Sequence, residues 1–86
     1  MPGHDDTSGF LRALAVDLRR LGLRTRLGPG PYPALEVTNP LSPVVSATVG
    51  VVGGSFVAFD GMVLAPADEP RAAASRLAHL LGLIPT

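Results

Sequence analysis

Five arginines lie within fifteen consecutive positions and form the densest group of chemically capable side chains in the sequence. They are Arg12, Arg19, Arg20, Arg24 and Arg26, out of seven basic residues in the whole chain. A guanidinium group forms forked hydrogen bonds with phosphate or carboxylate, so this group predicts a binding patch for nucleic acid or for an acidic partner. The alternative interpretation is a solvated helix face followed by a solvated strand face, and the sequence leaves both open.

Other residue types that support catalysis or metal binding are scarce. The chain contains no lysine and no cysteine, which excludes phosphate loops, disulfides and zinc–thiolate sites. Its two histidines, His4 and His79, lack the spacing of a metal-binding pair, and we expect His79 to have a surface or capping role. The carboxylate pairs Asp5-Asp6 and Asp68-Glu69 precede predicted helices, where capping explains them. We therefore predict no catalytic residue, no cofactor, no metal and no enzyme activity.

The amino-terminal arginines belong to a predicted amphipathic helix from Ser8 to Leu21. Its leucines recur at helical spacing on one face, and residues 1–7 read as a frayed polar tail. Thr7 or Ser8 is the expected cap at its start. Gly22 is placed to end the helix in a left-handed conformation, with Leu23 packing back on Leu18.

Alternating and β-branched segments separated by glycine and proline predict an antiparallel meander of four to five strands. The predicted strands are Leu23–Leu27, Ala34–Asn39, Val44–Val52, Ser55–Phe59 and Met62–Leu64. Gly53-Gly54 is the strongest hairpin turn signal. A second helix follows, with Asp68 as its N-cap and Gly82 as its stop. The sequence thus predicts a single α+β domain over residues 1–86, with both helices on one face of the sheet.

Two helices cover only one face of such a sheet, yet the predicted third and fourth strands carry apolar residues on both sides. We therefore expect an interface on the uncovered face. Its candidate residues, together with an aromatic side chain in the Pro-Gly loop, are Val45, Val49, Phe56, Phe59 and Tyr32. The chain is 47% hydrophobic, which is high for 86 residues, and homodimer formation is the commonest way to cover leftover apolar surface.

Charge and hydropathy define the expected surroundings of the chain. The formal net charge is zero, so bulk attraction to nucleic acid or to an acidic membrane is not indicated. The amino terminus has acidic residues where a signal peptide has basic ones, and no apolar run approaches the ~20 residues of a membrane helix. We expect a cytoplasmic protein that does not contact a membrane.

A family resemblance rests on three segments. These are Leu35-Glu36-Val37-Thr38-Asn39-Pro40, the hairpin ending in Phe-Val-Ala-Phe-Asp-Gly, and the closing helix Ala-Ala-Ala-Ser-Arg-Leu-Ala-His-Leu-Leu. Together they resemble the small uncharacterised α/β proteins of GC-rich actinobacteria that often accompany helix-turn-helix regulators. The arginine-only basic composition is typical of such genomes. The resemblance implies a regulatory or interaction role by association.

The sequence supports three hypotheses on function. The first is a non-enzymatic protein-interaction or regulatory accessory module, homodimeric, that contacts a partner through the uncovered sheet face or an exposed strand edge. The second is a nucleic-acid-associated accessory protein that uses the arginine patch. The third is a small-ligand-binding protein with a pocket between helices and sheet.

Overall fold

The computed structural model describes residues 6–28, 33–41, 46–58 and 61–82, and these form two helices and five strands. The helices are α1 (Asp6–Arg20) and α2 (Pro70–Leu80). The strands are β1 (Arg24–Leu27), β2 (Leu35–Thr38), β3 (Ser46–Val52), β4 (Ser55–Ala58) and β5 (Met62–Pro66). The α+β class and the order of helix, meander and helix are therefore as the sequence predicts.

Helix α1 ends where its glycine predicts. Gly22 has φ of 98°, its N–H donates to the Arg19 carbonyl, and the Leu23 N–H donates to the Leu18 carbonyl at 3.0 Å. These are the two hydrogen bonds of a Schellman motif, and Leu18 and Leu23 are both buried. The start differs from the prediction, because the helix begins at Asp6, inside the expected tail and before both expected caps.

The five strands form one antiparallel sheet in the order of the chain, with β1 and β5 at its edges. The central strand β3 pairs with β2 through its first half and with β4 through its second half, so Val49 has a partner on each side, Leu35 and Ala58. Gly53 and Gly54 both have positive φ, as the turn between β3 and β4 requires.

A bulge lets strand β5 place two successive side chains inside. Phe56 pairs with Ala65 and Val57 pairs with Val63, which leaves Leu64 as the extra residue. Leu64 and Ala65 are both buried. The strand continues to Pro66, two residues beyond the predicted end, and proline is tolerated there because β5 is an edge strand.

Both helices pack on the same face of the sheet, as predicted, and one core lies between them. The residues that are fully buried there include Leu11, Leu14 and Leu18 of α1, Leu77 of α2, and Leu35, Val37, Val49 and Phe56 of the sheet. Helix α2 contributes mainly alanines, whose small side chains allow close approach to α1 and β5. The residue at its N-cap is Glu69, where the sequence predicted Asp68, and the Glu69 side chain makes no capping hydrogen bond.

The opposite face of the sheet, here called the open face, has a polar half and an apolar half. Side chains alternate between faces along a strand, so the register assigns its members. The polar half comprises Arg24, Arg26, Glu36, Thr38, Ser46 and Thr48. The apolar half comprises Gly50, Val52, Val57 and Val63, with the single hydroxyl of Ser55 opposite Val52, and Val52 and Val63 are exposed by 66% and 58%.

The candidate interface requires a correction at two positions. Val49 and Phe56 are fully buried beneath the helices, because their strand register directs both side chains into the core. They therefore do not belong to the open face. The other three candidates, Val45, Phe59 and Tyr32, lie outside the described residues. In the described ranges, no helix is long and apolar enough to span a membrane.

Candidate functional site

The structure divides the five candidate arginines among three surfaces. Arg12 and Arg19 lie on the side of α1 that adjoins β1. Arg24 and Arg26 alternate with inward-facing residues of β1 and therefore lie on the open face. Arg20 lies 3.9 Å from Asp17 through its Nη1 atom, on the side of α1 that adjoins α2. The five arginines lie within fifteen positions of the sequence, yet they form no single patch on the folded protein.

The edge strand β1 directs backbone groups outward on the side away from β2. The Gly28 N–H donates to the Ala34 carbonyl at 2.8 Å, so Gly28 faces β2. In an antiparallel pair, successive residues alternate between facing the partner strand and facing away. Thr25 and Leu27 therefore direct their N–H and C=O groups outward, and in the described part of the chain no strand lies beyond them.

A groove runs alongside this edge, between β1 and the helix above it. This α1–β1 groove has a volume of about 410 Å³ and is bounded by Ala15, Val16 and Arg19 of α1 and by Thr25 and Leu27 of β1. Its walls are mainly apolar, and the exposed Val16 forms part of its rim. The volume falls within the ~300–1,000 Å³ of small-ligand pockets.

Among the described residues, the two charged side chains that line the α1–β1 groove are both cationic. Arg12 and Arg19 are two helical turns apart on the same side of α1. The Nε atom of Arg19 donates to the Ala15 carbonyl at 3.4 Å, which holds the guanidinium against its own helix beside the groove. The groove thus combines an apolar wall, a basic rim and an adjacent strand edge.

One polar side chain that the sequence analysis did not single out joins the sheet to the end of α2. Asn39, 3% exposed, donates from Nδ2 to the Leu81 carbonyl and accepts at Oδ1 from the Leu41 N–H, both at 2.9 Å. The Asn39-Pro40 pair predicts a turn, and the hydrogen bond from the Leu41 N–H to Asn39 Oδ1 closes that turn. The bond to Leu81 spans 42 positions, so no local pattern could have revealed it.

A second, more open depression lies where α2 begins. It has a volume of about 630 Å³ and is lined by Asp17, Asp68, Glu69 and Arg71, among others. The sequence indicated the Asp68-Glu69 pair, and the fold adds Asp17 from α1. Among the described residues, no group of three or more acidic or histidine side chains has a geometry suited to a metal ion.

His79 is exposed, as predicted for a surface or capping residue. Its Nδ1 atom lies 3.0 Å from the Ser75 carbonyl, one helical turn earlier. His79 therefore makes a local contact within the last turn of α2 and is not among the residues that line the α1–β1 groove. His4 lies outside the described residues.

Comparison with known proteins adds no relative from which a site could be transferred. No family model matches the chain, and neither a curated protein nor a solved structure matches it. Function is therefore inferred from the geometry of β1 and its groove.

Proposed function

We propose that this chain is a non-enzymatic protein-interaction module that recruits an extended segment of a partner protein along β1. The observation that supports this most directly is the outward direction of the Thr25 and Leu27 backbone groups beside the α1–β1 groove. An extended segment that adds to β1 as a sixth strand pairs its backbone with these groups. Its alternate side chains then enter the groove, which is how strand addition combines affinity with selectivity.

A second copy of the chain is a poor occupant for this edge. Two β1 strands related by a two-fold axis pair antiparallel. An axis at Thr25 sets Arg24 opposite Arg26 of the other copy, and an axis at Arg26 sets that arginine opposite itself. Like charges directly opposite each other destabilise a strand pair. An axis at Leu27 sets Arg26 opposite Gly28 and avoids this repulsion, but it pairs less of β1. The arginines thus disfavour the two registers that would pair most of β1 with itself, as charged residues on edge strands commonly do.

The nucleic-acid alternative draws less support from the geometry, because among the described residues each face of the β1 edge carries only two of the five arginines. A phosphate backbone attracts proteins through many simultaneous contacts. Its test is DNA or RNA binding that weakens with salt and is lost in the Arg19→Ala, Arg20→Ala double variant. Binding unaffected by those substitutions contradicts it.

Strand addition is tested by substitutions at one position of β1. Thr25→Pro removes an outward N–H without removing a bond to β2, and proline is tolerated at such a site on an edge strand. Thr25→Ala keeps the N–H and removes only the side chain, so it is the matched control. The probe is the neutral peptide Gly-Thr-Val-Thr-Val-Thr-Gly, with binding followed by amide chemical shifts in ¹⁵N spectra.

We expect the wild type and Thr25→Ala to bind this peptide, with the largest shifts at Leu27 and its neighbours in β1. We expect Thr25→Pro to lose binding while its thermal unfolding stays cooperative. Equal binding by all three proteins, or shifts confined to the open face of β4 and β5, contradicts strand addition at β1.

A further inference from the structure

We infer that the partner segment at β1 is acidic and alternates carboxylate with apolar side chains. This inference rests on the proposed strand addition and specifies the chemistry of the segment. Residues directly opposite each other in a sheet direct their side chains to the same face. The register of an added strand therefore determines which of its side chains enters the groove and which lies on the open face.

The groove side of the added strand meets an apolar surface. Side chains opposite Thr25 and Leu27 point toward α1, where the walls include Ala15 and Val16. Apolar side chains at these two positions remove the exposed part of Val16 from water. The segment thus has apolar residues two positions apart.

The open-face side of the added strand meets positive charge. Its residues opposite Arg24 and Arg26 lie on the same face as those arginines, and opposite charges across a strand pair stabilise it. The carboxylate of Glu36 also lies opposite Arg26, but it belongs to β2 and is therefore one strand further from the added segment than the two arginines are. On the other side, Arg12 and Arg19 place positive charge along the groove. Positive charge thus lies on both sides of the edge strand and favours a segment of negative net charge, while the apolar groove wall determines which of its positions are apolar.

The experiment compares three peptides whose lengths are equal. The first, Gly-Glu-Val-Glu-Val-Glu-Gly, has the inferred pattern. The second, Gly-Lys-Val-Lys-Val-Lys-Gly, keeps the alternation and reverses the charge. The third, Gly-Glu-Glu-Val-Val-Glu-Gly, keeps the composition of the first and breaks the alternation. Dissociation constants are measured by fluorescence anisotropy of labelled peptides at low salt and at 0.5 M salt.

We expect the alternating acidic peptide to bind at least about tenfold more tightly than either of the others, because two cross-strand charge pairs change sign or lose register. High salt reduces that advantage, since the charges are exposed. In the Arg24→Gln, Arg26→Gln double variant the advantage of the acidic over the basic peptide falls by at least about threefold, and Arg12 and Arg19 account for what remains. Arg20→Gln, at an arginine that is 72% exposed beside α2, is the matched control and leaves the preference unchanged.

The outcomes separate this inference from the proposed function. Equal or tighter binding of the basic peptide, with loss of binding in Thr25→Pro, overturns the acidic preference and leaves strand addition intact. Acidic preference that persists in Thr25→Pro overturns strand addition, because the charges then act without the backbone pairing. Failure of all three peptides, and of the neutral threonine–valine peptide, to bind at millimolar concentration overturns both.

Discussion

Replacing Asn39 tests whether its two hydrogen bonds hold the end of β2 against the end of α2. Asn39→Ala removes the donor to the Leu81 carbonyl and the acceptor for the Leu41 N–H. A net hydrogen bond contributes about 0.5–1.5 kcal/mol, and a buried group left without a partner costs about 1–3 kcal/mol. Together these predict a loss of about 2–4 kcal/mol in the free energy of unfolding.

That loss is large for a domain of this size. At about 0.05–0.15 kcal/mol per residue, 86 residues give a total stability of roughly 4–13 kcal/mol. The melting temperature falls by about 4–8 °C per kcal/mol in a 60–100-residue domain, so Asn39→Ala lowers it by about 10 °C or more. Urea unfolding followed by far-UV circular dichroism measures this, because the chain contains no tryptophan.

Asn39→Asp tests the two hydrogen bonds separately, because it removes the donor and keeps the acceptor. An aspartate still accepts from the Leu41 N–H, but at neutral pH it sets a carboxylate against the Leu81 carbonyl at the negative end of a helix. This environment raises the pKa of the introduced carboxyl above the ~3.9 of an exposed aspartate. Its protonated form donates to the carbonyl, so the stability of the variant is greatest below about pH 3.9 and falls as pH rises through the raised pKa.

The control is Thr38→Ala, the preceding residue, whose side chain lies on the open face and whose loss costs about 0.5 kcal/mol or less. If the free energy of unfolding of Asn39→Ala lies within about 0.5 kcal/mol of the wild-type value, the two buried hydrogen bonds of Asn39 do not stabilise the fold, and the prediction is refuted. Equal stability of Asn39→Asp and the wild type at pH 7 refutes a stabilising hydrogen bond from Asn39 Nδ2 to the Leu81 carbonyl.

Three further predictions follow from the fold. In hydrogen exchange, the outward amide of Leu27 exchanges at least about tenfold faster than the β2-facing amide of Arg26, and equal rates contradict the derived edge geometry. Thermal melts of Gly22→Ala show a loss of about 1–2 kcal/mol, because φ at this position is 98°, while Gly9→Ala, an exposed site within the same helix, gains about 0.5–1 kcal/mol. If the predicted homodimer forms through the apolar half of the open face, sedimentation velocity shows a dimer that Val63→Glu converts to monomer, and a wild type that is monomeric at every concentration contradicts it.

Local patterns predicted the elements of this fold well. Leucine spacing indicated α1, two-residue alternation indicated β1 and β2, and Gly53-Gly54 indicated the hairpin between β3 and β4. The Gly22–Leu23 helix ending was predictable because both of its hydrogen bonds join residues at most five positions apart. The predicted helix starts were wrong by one or two residues where several neighbouring side chains can cap. Helix α1 begins at Asp6, before the expected caps, and the N-cap of α2 is Glu69 and not Asp68.

The candidate site could be predicted only in part. Arginine composition indicated a basic surface, and the apolar content of β3 and β4 indicated an interface. Neither pattern contains the register that buries Val49 and Phe56. The bulge at Leu64 likewise changes which residues of β5 face inward, and no two-residue alternation anticipates it.

The five arginines show most clearly what the sequence determines and what the tertiary structure adds. The sequence by itself determined that five cations lie close along the chain, and that α1 and β1 expose them to solvent. The tertiary structure alone decided that they separate. Alternation in β1 directs Arg24 and Arg26 away from the helices, while the packing of α1 against β1 and α2 sets Arg12 and Arg19 on one side of that helix and Arg20 on another. The α1–β1 groove and the outward backbone of Thr25 and Leu27 exist only once α1 folds back over the sheet and β2 occupies one side of β1.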